Sequence, residues 1–151
     1  MSLEQEFELI RRVPIFSTTD PSMQKLLAFS SDRLTYEAGQ LMFSAGDAPD
    51  SAYIVMEGEV DITVPTPKGQ LLVNTLVRND VIGEIGIFGD VPRTATATAR
   101  TKVDVLRISR DVFVNVIRSN PDAAIALVRI LADRLAKTTA QLRRMAAETS
   151  K

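Results

Sequence analysis

Glu84 and Arg93 are the residues whose types and setting suggest chemistry. They stand in "GEIGIFGDVPRTATATA", residues 83–99, with glycine and proline between them. A guanidinium is a planar fork that matches phosphate oxygens. A carboxylate accepts from a hydroxyl, and such a charge-assisted bond contributes about 1.5–3 kcal/mol. Gly83 lets the backbone approach a ligand closely. "EIGIF" can make one helical turn, whose free N–H groups point at an anion. Pro92 stiffens the approach to Arg93, and "TATATA" reads as a strand with small side chains that leave room inside a barrel. Together these residues suit a small anion carrying a hydroxylated ring. The competing reading is a solvated turn with an unengaged acid and base. The GxxGxxG order lacks the Lys-Ser/Thr ending of a phosphate loop and does not fit the dinucleotide fingerprint.

The chain that must position this pair has 151 residues and a formal charge of −1, with 45% hydrophobic and 25% charged residues. That is the profile of one soluble globular domain, long enough to bury a core. Cysteine and histidine are both absent. Their absence removes disulfides, thiolate and imidazole metal sites, and Ser-His or Cys-His nucleophilic pairs. It also removes the usual general base near neutral pH. A hydrolase is therefore disfavoured, and neither a metal nor a cofactor is expected. The acidic start "MSLEQEFELI" has no apolar core of a secretion signal, and no window is apolar enough to span a bilayer. A cytoplasmic protein with no membrane partner is the expectation. Near-zero net charge speaks against nucleic acid as a partner.

Three textures follow one another, and they predict an α+β fold. Residues of about 4–30 read as helices: Phe7 and Ile10 fall at helical spacing, Pro14 breaks the first helix, and Asp20 with Pro21 opens a second. Residues of about 33–108 carry short alternating runs between turn signals such as "EAGQ", "AGDAPD" and "PTPKGQ", which predicts an antiparallel β-barrel or sandwich. Residues of about 110–148 return to helix, with Ser109 capping a short one. Asn120, Pro121 and Asp122 suit the start of a long one. About 28 residues make a rod of roughly 42 Å. Along it Val128, Leu131, Leu135, Thr138, Leu142 and Met145 alternate spacings of three and four. That a/d pattern predicts a homodimer through paired helices, against the alternative of a helix lying on its own barrel.

"VIGEIGIFGDVPRTATA" resembles the phosphate-binding cassette of cyclic nucleotide-binding domains. "YEAGQLMFSAGDAPDSAYIVMEGEVDI" resembles the family's early strands, and "VPIFS" its typical entry. The resemblance covers about residues 7–148. It implies a jelly-roll fold with a long C-terminal helix and a cyclic nucleotide as ligand. It also implies that Glu84 binds the ribose 2′-hydroxyl and Arg93 the cyclic phosphate. Backbone at Gly83, Ile85, Gly86 and Ala95 would then lie near ribose or phosphate. Thr94 would touch the phosphate or a syn purine, and Ile62, Val73 and Ile82 would wall the pocket.

"NPD…RLAKTT" is similar to the dimer helix of bacterial catabolite activators. There the matching pair of hydroxyls contacts adenine, the first within its own subunit and the second across the dimer; the pair here is Thr138 and Thr139. Cyclic AMP is the ligand this implies, although a threonine after the arginine is compatible with cyclic GMP. Those regulators continue into a winged helix-turn-helix, and this sequence ends at Lys151. The expectation is a non-enzymatic sensor without DNA binding, whose downstream protein partner the sequence does not name. The alternatives are the sensor part of a transcription regulator or a dimerising module that binds no nucleotide.

Overall fold

A computed structural model describes residues 2–149. Two helices come first, α1 (Leu3–Arg12) and α2 (Pro21–Ser30). Eight strands follow: β1 (Asp32–Tyr36), β2 (Leu41–Phe43), β3 (Ser51–Glu57), β4 (Val60–Thr66), β5 (Gly69–Leu76), β6 (Val81–Ile82), β7 (Thr96–Ala99) and β8 (Val103–Ser109). A short helix, α3 (Glu84–Gly89), sits between β6 and β7, and α4 (Arg110–Ser119) and α5 (Pro121–Thr149) close the chain.

The strands form two four-stranded antiparallel sheets, ordered β1-β8-β3-β6 and β2-β7-β4-β5. This is the strand order of a jelly roll. Among the described residues no ladder joins one sheet to the other, so of the predicted barrel or sandwich the sandwich is what forms.

The first sheet is covered on both faces, and its sequence shows why. Ser51–Met56 is a run with every residue buried. Its alternate side chains serve two cores. Ala52, Ile54 and Met56 face the helices, while Tyr53 and Val55 face the opposite sheet. β8 divides likewise, with Leu106 and Ile108 on the helix side and Val103 and Val105 inside. A near-continuous apolar run is what a strand needs when neither face meets water. The helix-side core draws Ile10, Phe16, Leu27, Phe113, Val116 and Leu127 from four helices and the turn after α1. Phe16 meets Phe113 edge to face, with centroids 6.1 Å apart.

Local signals set most helix starts. The Asp20 carboxylate accepts from the Met23 N–H at 3.0 Å, and Ser109 Oγ accepts from the Val112 N–H. Asn120 differs from expectation. Its side-chain amide donates to the Val116 carbonyl at 2.8 Å, so it closes the end of α4. The α4-α5 connection is a single residue, and the carbonyl within reach of that amide belongs to the preceding turn.

Burial within the chain divides the seam read along helix α5. Leu131, Thr138 and Met145 are half-buried, whereas Val128, Leu135 and Leu142 are exposed by 64%, 68% and 56%. The six residues therefore straddle the edge of the helix's own contact with the body, one flank half-buried and the other exposed. One face, carrying Leu127, Leu131, Arg134, Thr138 and Gln141, turns toward the chain's own body. The exposed face carries Ile125, Val128, Ala132, Leu135, Thr139, Leu142 and Ala146, again at spacings of three and four. A stripe of period 3.5 is wide enough on a helix to admit both registers, so sequence spacing did not separate them.

Candidate functional site

Between the second sheet and α5 lies a cavity of about 210 Å³. Its walls are Phe43 of β2, Ile62 and Val64 of β4, Val73, Asn74 and Leu76 of β5, and Ile82 of β6. The segment 83–95 forms one end, and Arg134 and Thr138 of α5 lie over it.

Segment 83–95 is held in place by its own composition. Gly83 has φ +91°, a left-handed conformation that disfavours any side chain. A Cβ there would also run into the Arg93 guanidinium and approach the Ser51 carbonyl. Ile87 of α3 is buried in the helix-side core, and Phe88 packs on Phe113 with centroids 5.6 Å apart. The Arg93 N–H donates to the Asp47 carbonyl, and the Gly46 N–H donates to the Arg93 carbonyl, both at 2.8 Å. The cassette thus links β6 of one sheet to β7 of the other and is anchored at both ends.

Arg93 is 4% exposed. Nη1 donates to the Gly83 carbonyl at 2.8 Å and Nη2 to the Ser51 carbonyl at 2.6 Å. Its guanidinium carbon sits 4.2 Å from the Phe43 ring centroid, and Asp50 lies 3.7 Å from Nη2. Burial pushes its pKa down, opposed by Tyr53, Asp50, Glu84 and Asp47. Nε is buried with no partner.

Glu84 is 1% exposed. Burial raises its pKa above the usual carboxylate value, against the pull of Arg134, its own backbone hydrogen bond and Arg93. Arg134 Nη1 donates to Oε1, and Arg134 Nη2 donates to the Val81 carbonyl at 2.6 Å. Oε2 has no partner. Three buried side-chain polar atoms among the described residues lack a partner, and two of them, Arg93 Nε and Glu84 Oε2, belong to this cavity's lining residues. The third, Asn79 Oδ1, lies in the β5-β6 turn. Buried donors and acceptors are normally satisfied, so an unpartnered donor and an unpartnered acceptor on two residues that line one cavity set these side chains apart.

Of the residues the sequence singled out, Gly83, Glu84, Ile85, Gly86, Arg93, Thr94, Ala95, Ile62, Val73, Ile82 and Thr138 line this one cavity. Thr139 does not line it and lies on the exposed face of α5. Sequence reading missed Phe43, Val64, Asn74, Leu76 and Arg134. Arg134 carried a usable signal, because it stands four residues before Thr138 and so shares its helix face. Among the described residues no group of His, Cys, Asp or Glu is placed to hold a metal ion, and no helix is long and apolar enough to cross a membrane.

Residues 33–120 match the cyclic nucleotide-binding domain family. The chain is 32% identical over 136 residues to the CRP-like cAMP-activated global transcriptional regulator of Mycobacterium tuberculosis. That alignment covers 89% of this chain and 61% of the regulator. It is 34% identical over 104 residues to the cAMP-dependent protein kinase regulatory subunit of Yarrowia lipolytica, covering 69% of this chain and 27% of that one. The fold is similar to the sensor domain of the transcriptional regulator DNR from Pseudomonas aeruginosa, with a TM-score of 0.78, 25% identity, and 88% and 90% of the two chains covered. The chain thus spans less than two thirds of the curated relatives' length.

Proposed function

The chain belongs to the cyclic nucleotide-binding domain family, and on that premise we propose that it is a non-enzymatic, cytoplasmic cyclic AMP sensor that dimerises through α5. The observation that carries the reading is that Arg93 and Glu84, a buried guanidinium and a buried carboxyl each with an unpartnered atom, line one cavity. A cyclic phosphate supplies the anion for Arg93, and the ribose 2′-hydroxyl supplies the donor for Glu84. Gly83, Ile85, Gly86 and Ala95 bring backbone to the sugar-phosphate, and Thr94 adds a hydroxyl. Ile62, Val73 and Ile82 enclose the base, and Thr138 caps it.

The output is a population shift, not a reaction. Arg134 ties Glu84 to α5, so a ligand that engages Glu84 acts on the helix through that ion pair. The helix's exposed stripe, with Val128, Leu135 and Leu142 at its centre, pairs with a second copy, and Thr139 of each copy then reaches toward the other's cavity. The signal passes to a protein partner, and the described chain makes no specific contact with duplex DNA.

A thermal shift titration tests the reading. Cyclic AMP at 100 times its Kd stabilises the fold by about 2.7 kcal/mol, a rise in Tm of roughly 5–11 °C at this size. Arg93→Ala removes most of that rise, and Glu84→Ala reduces it. No rise with either cyclic AMP or cyclic GMP, or an equal rise in wild type and both variants, overturns the assignment.

A further inference from the structure

A second cleft, of about 650 Å³, shares no lining residue with the nucleotide cavity. Three arginines from three separate elements meet there: Arg12 in the last turn of α1, Arg33 in β1, and Arg78 in the turn between β5 and β6. No local pattern groups them, so only the fold brings them together. The turn does not need a cation at position 78. Asp80 closes it, with its carboxylate accepting from the Val77 N–H at 2.8 Å and its N–H donating to the Val77 carbonyl. Asn79 takes the left-handed conformation, φ +75°, and its N–H donates to the Val55 carbonyl. Arg78 is thus presented by a turn that its neighbours hold together.

Charge in the cleft is uneven. Arg12 and Arg78 form no ion pair among the described residues, and Arg33 has only Asp104, at 3.6 Å. Three guanidinium groups around one cleft repel one another, and such a concentration of one sign draws in anions. Two glutamates of α1 also line the cleft. Glu8 is already paired with Arg11 at 2.8 Å. Glu4 stands two turns of helix before Arg12, about 12 Å along the axis. Gln5 is committed to the Ser2 N–H in the cap of α1, and Leu9 is buried. The cleft therefore has a basic end of three planar forks and one carboxylate well beyond it.

We propose that Arg12, Arg33 and Arg78 form a second ligand site, for a compact, multiply charged phosphate such as a triphosphate chain. Guanidinium forks match phosphate oxygens in pairs, and a triphosphate offers several such pairs close together. An acidic peptide fits less well. Side chains on one side of an extended peptide recur only about every 6.6 Å, and an acidic run laid along α1 meets Glu4. The ligand's charge must stay at the arginine end. The site lies outside the nucleotide cavity, so the proposal stands or falls apart from the cyclic AMP reading.

Isothermal titration at low salt tests this with inorganic tripolyphosphate, ATP and hexaglutamate as probes, the Tm of each variant being taken first. Tripolyphosphate binds wild type and Arg93→Ala alike, because Arg93 belongs to the other cavity. Arg12→Ala and Arg78→Ala each weaken it by about 5- to 12-fold, between the worth of an exposed ion pair and that of a weak charge-assisted hydrogen bond. Arg33→Ala weakens it less, since Asp104 already offsets that charge. Arg78→Glu abolishes binding and keeps the wild-type Tm, because the turn does not use this side chain. ATP identifies the source of the phosphate. A Kd equal to or weaker than that of tripolyphosphate means that the phosphate chain alone is read, and a tighter one means a nucleoside triphosphate; both support the site. Loss of binding in Arg93→Ala, unchanged binding in the Arg12 and Arg78 variants, or tighter binding of hexaglutamate than of tripolyphosphate overturns it. A wild type that binds no tripolyphosphate overturns it too and leaves the cyclic nucleotide reading standing.

Discussion

The two sheets use their residues to opposite ends. In the first, every residue of β3 from Ser51 to Met56 is buried, and alternate side chains fill two cores. In the second, β4 and β5 are mostly half-buried, and their inner face borders a cavity lined by apolar side chains and by Asn74. A sheet filled on both faces has no room for a ligand, and a polar group placed there would be stranded. The second sheet gives up packing to keep that room. Glu84 and Arg93 stand where the chain passes from the first sheet to the second, so the charges sit beside the cavity without interrupting either core. Helix α5 repeats the contrast at smaller scale, with Arg134 and Thr138 on its inner face and Val128, Leu135 and Leu142 outside.

The largest expected effect separates stability from binding. Phe113 is fully buried between Phe16 and Phe88. Phe113→Ala costs about 3–5 kcal/mol, a fall in Tm of roughly 6–20 °C. Calorimetry reads the loss, and titration below the lowered Tm shows a nucleotide Kd close to that of wild type. A Kd that worsens in step with stability breaks the division, because it means that Phe88 transmits core packing to the cassette.

The two faces of α5 separate next. Leu135→Asp places a charge in the exposed apolar stripe and yields monomers in light scattering. Arg134 and Thr138 stay on the inner face, so the monomer still binds nucleotide within one subunit. A wild type that is monomeric at high concentration, with and without nucleotide, assigns the stripe to something other than a second copy.

The smallest effect sharpens the electrostatics of the cavity. The Glu84 pKa is raised in the fold, first by burial, with Arg134 as the main opposing influence. The folded state then keeps the proton at pH values where the unfolded chain has lost it. This contribution is fully present below the unfolded carboxylate value and is lost as pH rises through the raised folded one. The difference in unfolding free energy between wild type and Glu84→Gln should therefore fall with rising pH across that window in chemical denaturation. A flat difference, or one that grows with pH, means that Arg134 outweighs burial.

The sequence by itself determined the features whose partners lie close along the chain. Asp20 and Ser109 cap helices through N–H groups three residues away. The cassette keeps its glycines, acid and base within eleven residues, Gly83 to Arg93, and the alternating runs carry their burial pattern in their own spacing. Tertiary structure decided the rest, because it brings together residues with no local signature. Arg93 binds a carbonyl 42 residues away at Ser51, and Arg134 reaches Glu84 across 50 residues. Asn74 enters the cavity through a bulge defined by its pairing with β4. The two faces of α5 became distinct only when one of them met the chain's own body, since a 3.5-residue period fits both while burial selects one.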